Sequence, residues 1–115
     1  LELGPRDAVL VFTHDPKFDE PALIGALGSE AGYVGALGSR KTTADREQRL
    51  RESGVGDEEL ARVHAPCGLD IGAATPEEVA ISVLAEIIAE RSGRAGEPLR
   101  EGSQAIHPRE SQLPA

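Results

Sequence analysis

Residues 8–13 read Ala-Val-Leu-Val-Phe-Thr and break at once into His14, Asp15 and Pro16. The run is apolar, β-branched and non-alternating, which predicts a strand buried on both faces, the habit of parallel sheets. Turn chemistry ends it. Asp19 then reads as a helix N-cap with Glu20 and Pro21 in the first turn. Leu23, Ile24 and Leu27 supply that helix's apolar side, and Gly28 closes it. Tyr33 to Leu37 predict a second strand. A mostly polar helix follows from about 42 to 53, with Asp45–Arg49 and Glu47–Arg51 as acid-first i, i+4 pairs. Asp57 opens a short helix through Ala61, and Val63, His64 and Ala65 predict a third strand. Thr75, Pro76 and Glu78 spell a capping box with proline at N1. Behind it, Val79, Val83 and Ile87, beside Ala80, Leu84 and Ile88, make a wide apolar stripe suited to packing on a sheet. Alternating strands and helices predict an α/β domain, a three-layer Rossmann-like parallel sheet with right-handed crossovers. So few strands correspond to the C-terminal half of such a domain, over residues 1–91. Gly, Pro, Ser, Glu and Arg dominate from Ser92 onward, so residues 92–115 are expected to be a disordered tail.

The chain has 115 residues, with 12 Lys+Arg against 20 Asp+Glu and a formal net charge of −8. That balance argues against nucleic acid and anionic membrane as main partners, since both demand a basic footprint. No apolar run approaches the ~20 residues of a membrane span. The one cysteine, Cys67, has no partner for an internal disulfide, which fits a reducing cytoplasm. The chain contains no Met, and Leu1 is expected to follow truncation of a longer chain.

Ligands of open α/β sheets sit beyond the carboxyl ends of the strands. The candidates there are His14 and Asp15, the turn Gly38, Ser39, Arg40 and Thr42, and the loop with Gly68 and Asp70. In the Gly38–Thr42 turn, a glycine admits close backbone approach, a helix N-terminus offers free N–H groups, and Arg40 suits a phosphate. The same residues also describe an ordinary capped strand-to-helix turn. His14 and Asp15 read either as a polar or acid/base pair or as residues shaping the turn before Pro16. Gly68, Asp70 and Gly72 either meet a ligand or serve backbone geometry alone. His64 reads as structural. Cys67 reads as a small packed residue ahead of nucleophile or metal ligand, because a structural zinc site wants four ligands. No metal-binding set and no catalytic residue are assigned.

Several segments occur together in order: Val11 to Asp19, Gly32 to Arg40, His64 to Gly72, Thr75 to Ala80, and Ala85 to Ile87. They closely resemble the C-terminal Rossmann-like domain of XdhC/CoxI-type xanthine dehydrogenase accessory proteins, over about residues 6–91. The resemblance implies a cytoplasmic chaperone rather than an enzyme. Such a protein binds the molybdenum cofactor (molybdopterin) transiently, with or without a nucleotide. It holds the cofactor while a cysteine desulfurase installs its sulfur, then passes it to the apo-form of a molybdenum hydroxylase; a homo-oligomer is allowed. The resemblance implies cofactor binding at His14, Asp15, Gly38, Ser39, Arg40, Thr42, Gly68 and Asp70. Two positions depart from the family pattern: Thr43 stands where histidine is frequent, and Cys67 where an aliphatic residue is usual. The family's N-terminal domain and its glycine-rich first βα turn are not in these residues, so the chain alone is expected to bind ligand weakly or not at all. Two other classes fit the same pattern. One is a fragment of a nicotinamide-dependent Rossmann oxidoreductase, which predicts an upstream G-x-G-x-x-G. The other is a non-catalytic interaction module pairing through its sheet edge, in which His14, Arg40 and Asp70 are replaceable.

Overall fold

The computed structural model describes residues 2–13 and 15–107. They divide between Cys67 and Gly68 into two compact units. The first holds β1 (Ala8–Val11), α1 (Pro16–Leu27), β2 (Tyr33–Ala36), α2 (Arg40–Glu52), α3 (Asp57–Leu60) and β3 (Val63–His64). The strands form one parallel sheet in the order β1-β2-β3. Val9 pairs with Val34, Leu10 with Gly35, and Val34 with Val63. Each strand reaches the next through a helix, as the alternation predicted.

Burial differs between the strands in a way that follows from their order. All four residues of β2 are buried, because β2 is the middle strand. In β1 only Val11 is buried, while Val9 and Leu10 are half-buried and Ala8 is exposed. The double burial expected of β1 therefore belongs to β2: within this sheet β1 is an edge. Pairing of β1 stops at Val11, and Phe12 is exposed.

Helix α1 starts before the expected cap. Asp15 is its N-cap, with Oδ1 accepting the Lys17 N–H at 3.0 Å, and Pro16 stands at N1. Proline lacks the N–H that a first helical residue leaves unpaired anyway, and its fixed φ starts the turn. Asp19 thus lies inside the helix and is buried at 2 % exposure. At the other end Arg62 spans two carbonyls, Nη1 to Leu27 O at 2.8 Å and Nη2 to Ala31 O at 3.3 Å. That places a cation on a helix C-terminus that has no basic residue of its own.

The core consists of Val11, Leu23, Ala26, Ala31, Val34, Ala36 and Leu50. Helix α2 is polar on most of its surface, and its buried residues are Arg46 and Leu50, one turn apart. Of its two expected ion pairs Glu47–Arg51 forms at 2.9 Å, whereas Arg49 turns to Glu20 of α1 at 3.0 Å. Tyr33 and His64 stack across β2 and β3, ring centroids 4.6 Å apart and 9° from parallel, the structural use expected of His64.

The second unit is built on α4 (Pro76–Ser92). Thr75 Oγ1 accepts the Glu78 N–H at 3.2 Å, and Glu78 Oε1 accepts the Thr75 N–H at 3.0 Å, the reciprocal box read from the sequence. The helix ends at Gly93 in the left-handed region, with the Arg94 N–H on Ala89 O at 2.8 Å. Val83 is buried, while Ile81, Leu84 and Ile88 are exposed. Beyond the helix, Leu99–Glu101 make a short 3-10 turn. The last part of the expected tail, residues 108–115, lies outside the described residues. Among the described residues no helix is long and apolar enough to cross a membrane.

Candidate functional site

Four of the eight candidate residues, Gly38, Ser39, Arg40 and Thr42, lie together in the β2–α2 turn. β2 ends at Ala36, and the Leu37 N–H still pairs with Val11 O at 3.0 Å. The chain then turns at Gly38, whose φ of +148° favours glycine. A Cβ at this position would stand 3.3 Å from Thr42 Cγ2. Ser39 is the N-cap of α2 and accepts the Thr42 N–H at 3.0 Å. Its hydroxyl donates to Thr42 Oγ1 at 2.9 Å. Ser39 is therefore committed to closing the turn, and Thr42 keeps one hydroxyl hydrogen to offer. The first intrahelical bond is Thr43 N–H to Ser39 O at 2.9 Å, so the Arg40 and Lys41 amides precede the helical ladder. Arg40 is exposed at the mouth of this turn. Amides ahead of the helical ladder, the positive end of a thirteen-residue helix and an exposed guanidinium thus lie together at this turn, the donor types that suit an anion.

Asp15 caps α1 through Lys17, which is the turn-shaping role weighed for it. His14 lies outside the described residues. Gly68 and Asp70 belong to the second unit. Gly68 has φ +111°, and a Cβ there would meet Ser82 Oγ at 2.5 Å. Its N–H donates to Glu86 Oε1 at 3.0 Å. Close packing against α4 accounts for this glycine. Asp70 is exposed. Cys67 is buried at 8 % exposure, with its N–H on Ala36 O at 3.0 Å. Among the described residues no three His, Cys, Asp or Glu side chains cluster to hold a metal.

Sequence reasoning missed a buried polar pair. Arg46 Nη2 donates to Asp19 Oδ2 at 3.1 Å and to Leu37 O at 3.2 Å, and Thr13 donates its hydroxyl to Asp19 Oδ1. Arg46 and Asp19 are each 2 % exposed. The pair joins the segment after β1 to the segment after β2, directly below the turn. One signal was available: Thr42, Arg46 and Leu50 repeat at i, i+4, which puts the arginine on the same side of α2 as its one buried leucine.

Comparison with known proteins follows the same outline. The family model described as the XdhC Rossmann domain matches residues 2–87. The chain is 39% identical over 113 residues to the uncharacterized protein YqeB of Escherichia coli, covering 98% of this chain and 20% of that one. It is 39% identical to a probable xanthine dehydrogenase subunit from Bacillus subtilis, over 79% of this chain and 26% of that one. It is 38% identical to the molybdenum cofactor insertion chaperone PaoD of Escherichia coli, over 78% of this chain and 28% of that one. The crystal structure of a xanthine dehydrogenase from Bacillus halodurans superposes with a TM-score of 0.61 at 34% identity, covering 78% of this chain and 26% of that one. The chain thus spans 20% to 28% of the length of these curated relatives. With the family match reaching from residue 2 to residue 87, the chain belongs to the XdhC family, of which it carries the Rossmann-like domain in part.

Proposed function

We propose that this chain is the cofactor-holding part of a molybdenum-cofactor accessory protein. In this reading it receives the phosphate of molybdopterin, bare or as a nucleotide, at the Gly38–Thr42 turn. It holds the cofactor transiently while a cysteine desulfurase supplies sulfur, and yields it to an apo-hydroxylase of the xanthine dehydrogenase type, in the cytoplasm and without catalysing the sulfur transfer itself. The names of PaoD and of the Bacillus subtilis relative support the cofactor and the client class.

The observation that carries the reading is the α2 N-terminus. The residues present suit a phosphoryl group there: the Arg40 and Lys41 amides open ahead of the first helical bond, Gly38 leaves the approach clear, and Arg40 stands exposed beside them. Charge-assisted bonds of this kind are about twice as strong as neutral ones. The cofactor supplies the metal chemistry once it reaches its enzyme; the residues here bind and orient its anionic end. His14, Asp15, Gly68 and Asp70 remain assigned to the cofactor on the family resemblance alone.

The test is cofactor retention by the full-length parent protein, purified from a molybdate-replete host, with the released pterin oxidised and read by its fluorescence. Pterin in the parent and its loss in Arg40→Ala is the expected result. A folded parent that carries no pterin overturns the reading and makes nicotinamide binding the next measurement.

A further inference from the structure

The guanidinium of Arg46 has five N–H donors. Nη2 makes two contacts, to Asp19 and to the Leu37 carbonyl. Nε and Nη1 are also buried, and neither has a hydrogen-bond acceptor among the described residues; Thr43 Oγ1 is in the same state. A charged donor set buried without acceptors is costly, because the group has given up water and received nothing for it. Such arrangements are few in native proteins, and a bound ligand, ion or ordered water is one way in which they are completed.

Direction makes this more than a packing curiosity. Nη1 lies 3.9 Å from where a Cβ on Gly38 would stand. Nη1 therefore lies under the turn whose amides precede the first hydrogen bond of α2. Asp19 pairs with Nη2, so Nη1 is left without that acceptor. Gly38 holds a φ that other residues adopt only with strain, and a Cβ there would come into ordinary contact with Nη1. Arg40, by contrast, is exposed and free to reach from outside.

We propose that Arg46 is the inner anchor of the anion site, donating from Nη1 to a phosphoryl oxygen held at the Gly38–Thr42 turn. Asp19 and the Leu37 carbonyl act as its positioning partners by fixing the plane of the guanidinium. The ligand class is a phosphate monoester or a diphosphate. This inference rests on the reading of the turn as a phosphate receptor and adds a buried contact to its exposed one.

The experiment uses the full-length parent protein, labelled with 15N and titrated separately with inorganic phosphate and inorganic pyrophosphate, followed by NMR. The Arg46 Nε–H signal and the Ser39, Arg40 and Lys41 amides are expected to shift with one common midpoint, in the millimolar range for so small a ligand. Stronger binding of pyrophosphate supports the anchor with a diphosphate as its ligand, and stronger binding of phosphate supports it with a monoester. Arg46→Lys keeps a positive charge beside Asp19 but loses the fork, and is expected to weaken binding roughly tenfold or more. Arg40→Ala is expected to weaken binding while the Arg46 signal still moves. If the turn amides shift while the Arg46 Nε–H stays still, the anion remains on the rim, Arg46 is structural, and only the anchor is overturned. If nothing shifts, both the anchor and the phosphate reading of the turn fall. Should Arg46→Lys not fold, the Nε–H of the unmodified chain decides by itself.

Discussion

Replacing Asp19 by alanine tests the energetics below the turn. Both partners of the Asp19–Arg46 pair are 2 % exposed, so solvent screens them little. The substitution leaves Arg46 a single acceptor, Leu37 O at 3.2 Å, with its charge still buried. Thr13 also loses its acceptor, but it is exposed and water takes the place. Removing one partner of a buried pair costs about 3–5 kcal/mol. Domains are stable by only ~5–15 kcal/mol in total, so Asp19→Ala removes a large share. At ~4–8 °C per kcal/mol for a small domain, the melting temperature falls by more than about 12 °C. The chain has no Trp, so the assay is urea unfolding followed by circular dichroism at the helix band. The double variant Asp19→Leu with Arg46→Met removes both charges at similar volume, and is expected within about 1 kcal/mol of the parent or above it. A loss below about 1 kcal/mol in Asp19→Ala, or a double variant no better than the single one, would refute this account.

Thr75→Ala removes one half of the capping box and is expected to cost about 0.5–2 kcal/mol, read from the same unfolding curves. The N–H groups of Ala74 and Thr75 hold the Glu78 carboxyl below the usual glutamate range. A lowered folded pKa means that this contribution is present above the ordinary glutamate value and is lost as pH falls through the lowered one. The α4 helix signal should therefore weaken on that acid limb, and Glu78→Gln should flatten the limb. Gly68→Ala adds a Cβ 2.5 Å from Ser82 Oγ at a φ of +111°. It is expected to cost roughly 1–3 kcal/mol in thermal melts, and Ser82→Ala should restore only the steric part, since the φ strain remains. Arg62→Ala strips the cation from Leu27 O and Ala31 O. It is expected to cost up to about 1 kcal/mol, with faster amide exchange in the last turn of α1.

What was legible in the sequence was whatever is decided locally. The alternation of apolar runs with helical patterns gave the parallel α/β order, and Thr75-Pro76-Glu77-Glu78 named its own helix start to the residue. The α1 start was misplaced because two capping signals compete there. Asp15-Pro16 is an N-cap followed by proline at N1, yet it also reads as a turn, and Asp19 looks like a cap when judged by residue type alone. Burial of Asp19 is set by Arg46, 27 positions away, and no local pattern announces a partner at that range. The same limit applies to β1, whose apolar run suggested a strand buried on both faces. The order β1-β2-β3 made it an edge, and order is a property of the sheet rather than of the strand. At the site, Gly38 through Thr42 was legible because strand end, glycine and cap are consecutive. The arginine beneath it was not, because a charged residue on a polar helix reads as solvent-facing until the fold places it inside.

A buried ion pair is weak evidence for stability, since apolar residues of similar volume often serve as well or better. The core around Val11, Val34 and Leu50 is apolar and would accept such a replacement. Folding energy alone thus gives little reason for the arrangement below the turn, in which Nε and Nη1 are left without acceptors among the described residues. What it does accomplish is to hold a positive charge in a fixed plane beneath an open helix N-terminus, at the carboxyl ends of β1 and β2. The Asp19→Leu, Arg46→Met double variant separates the two roles in one molecule. If the pair exists for the ligand, this variant unfolds no more easily than the parent yet loses phosphate binding. If the pair exists for the fold, phosphate binding persists wherever the variant remains folded, and the unfolding curve alone moves.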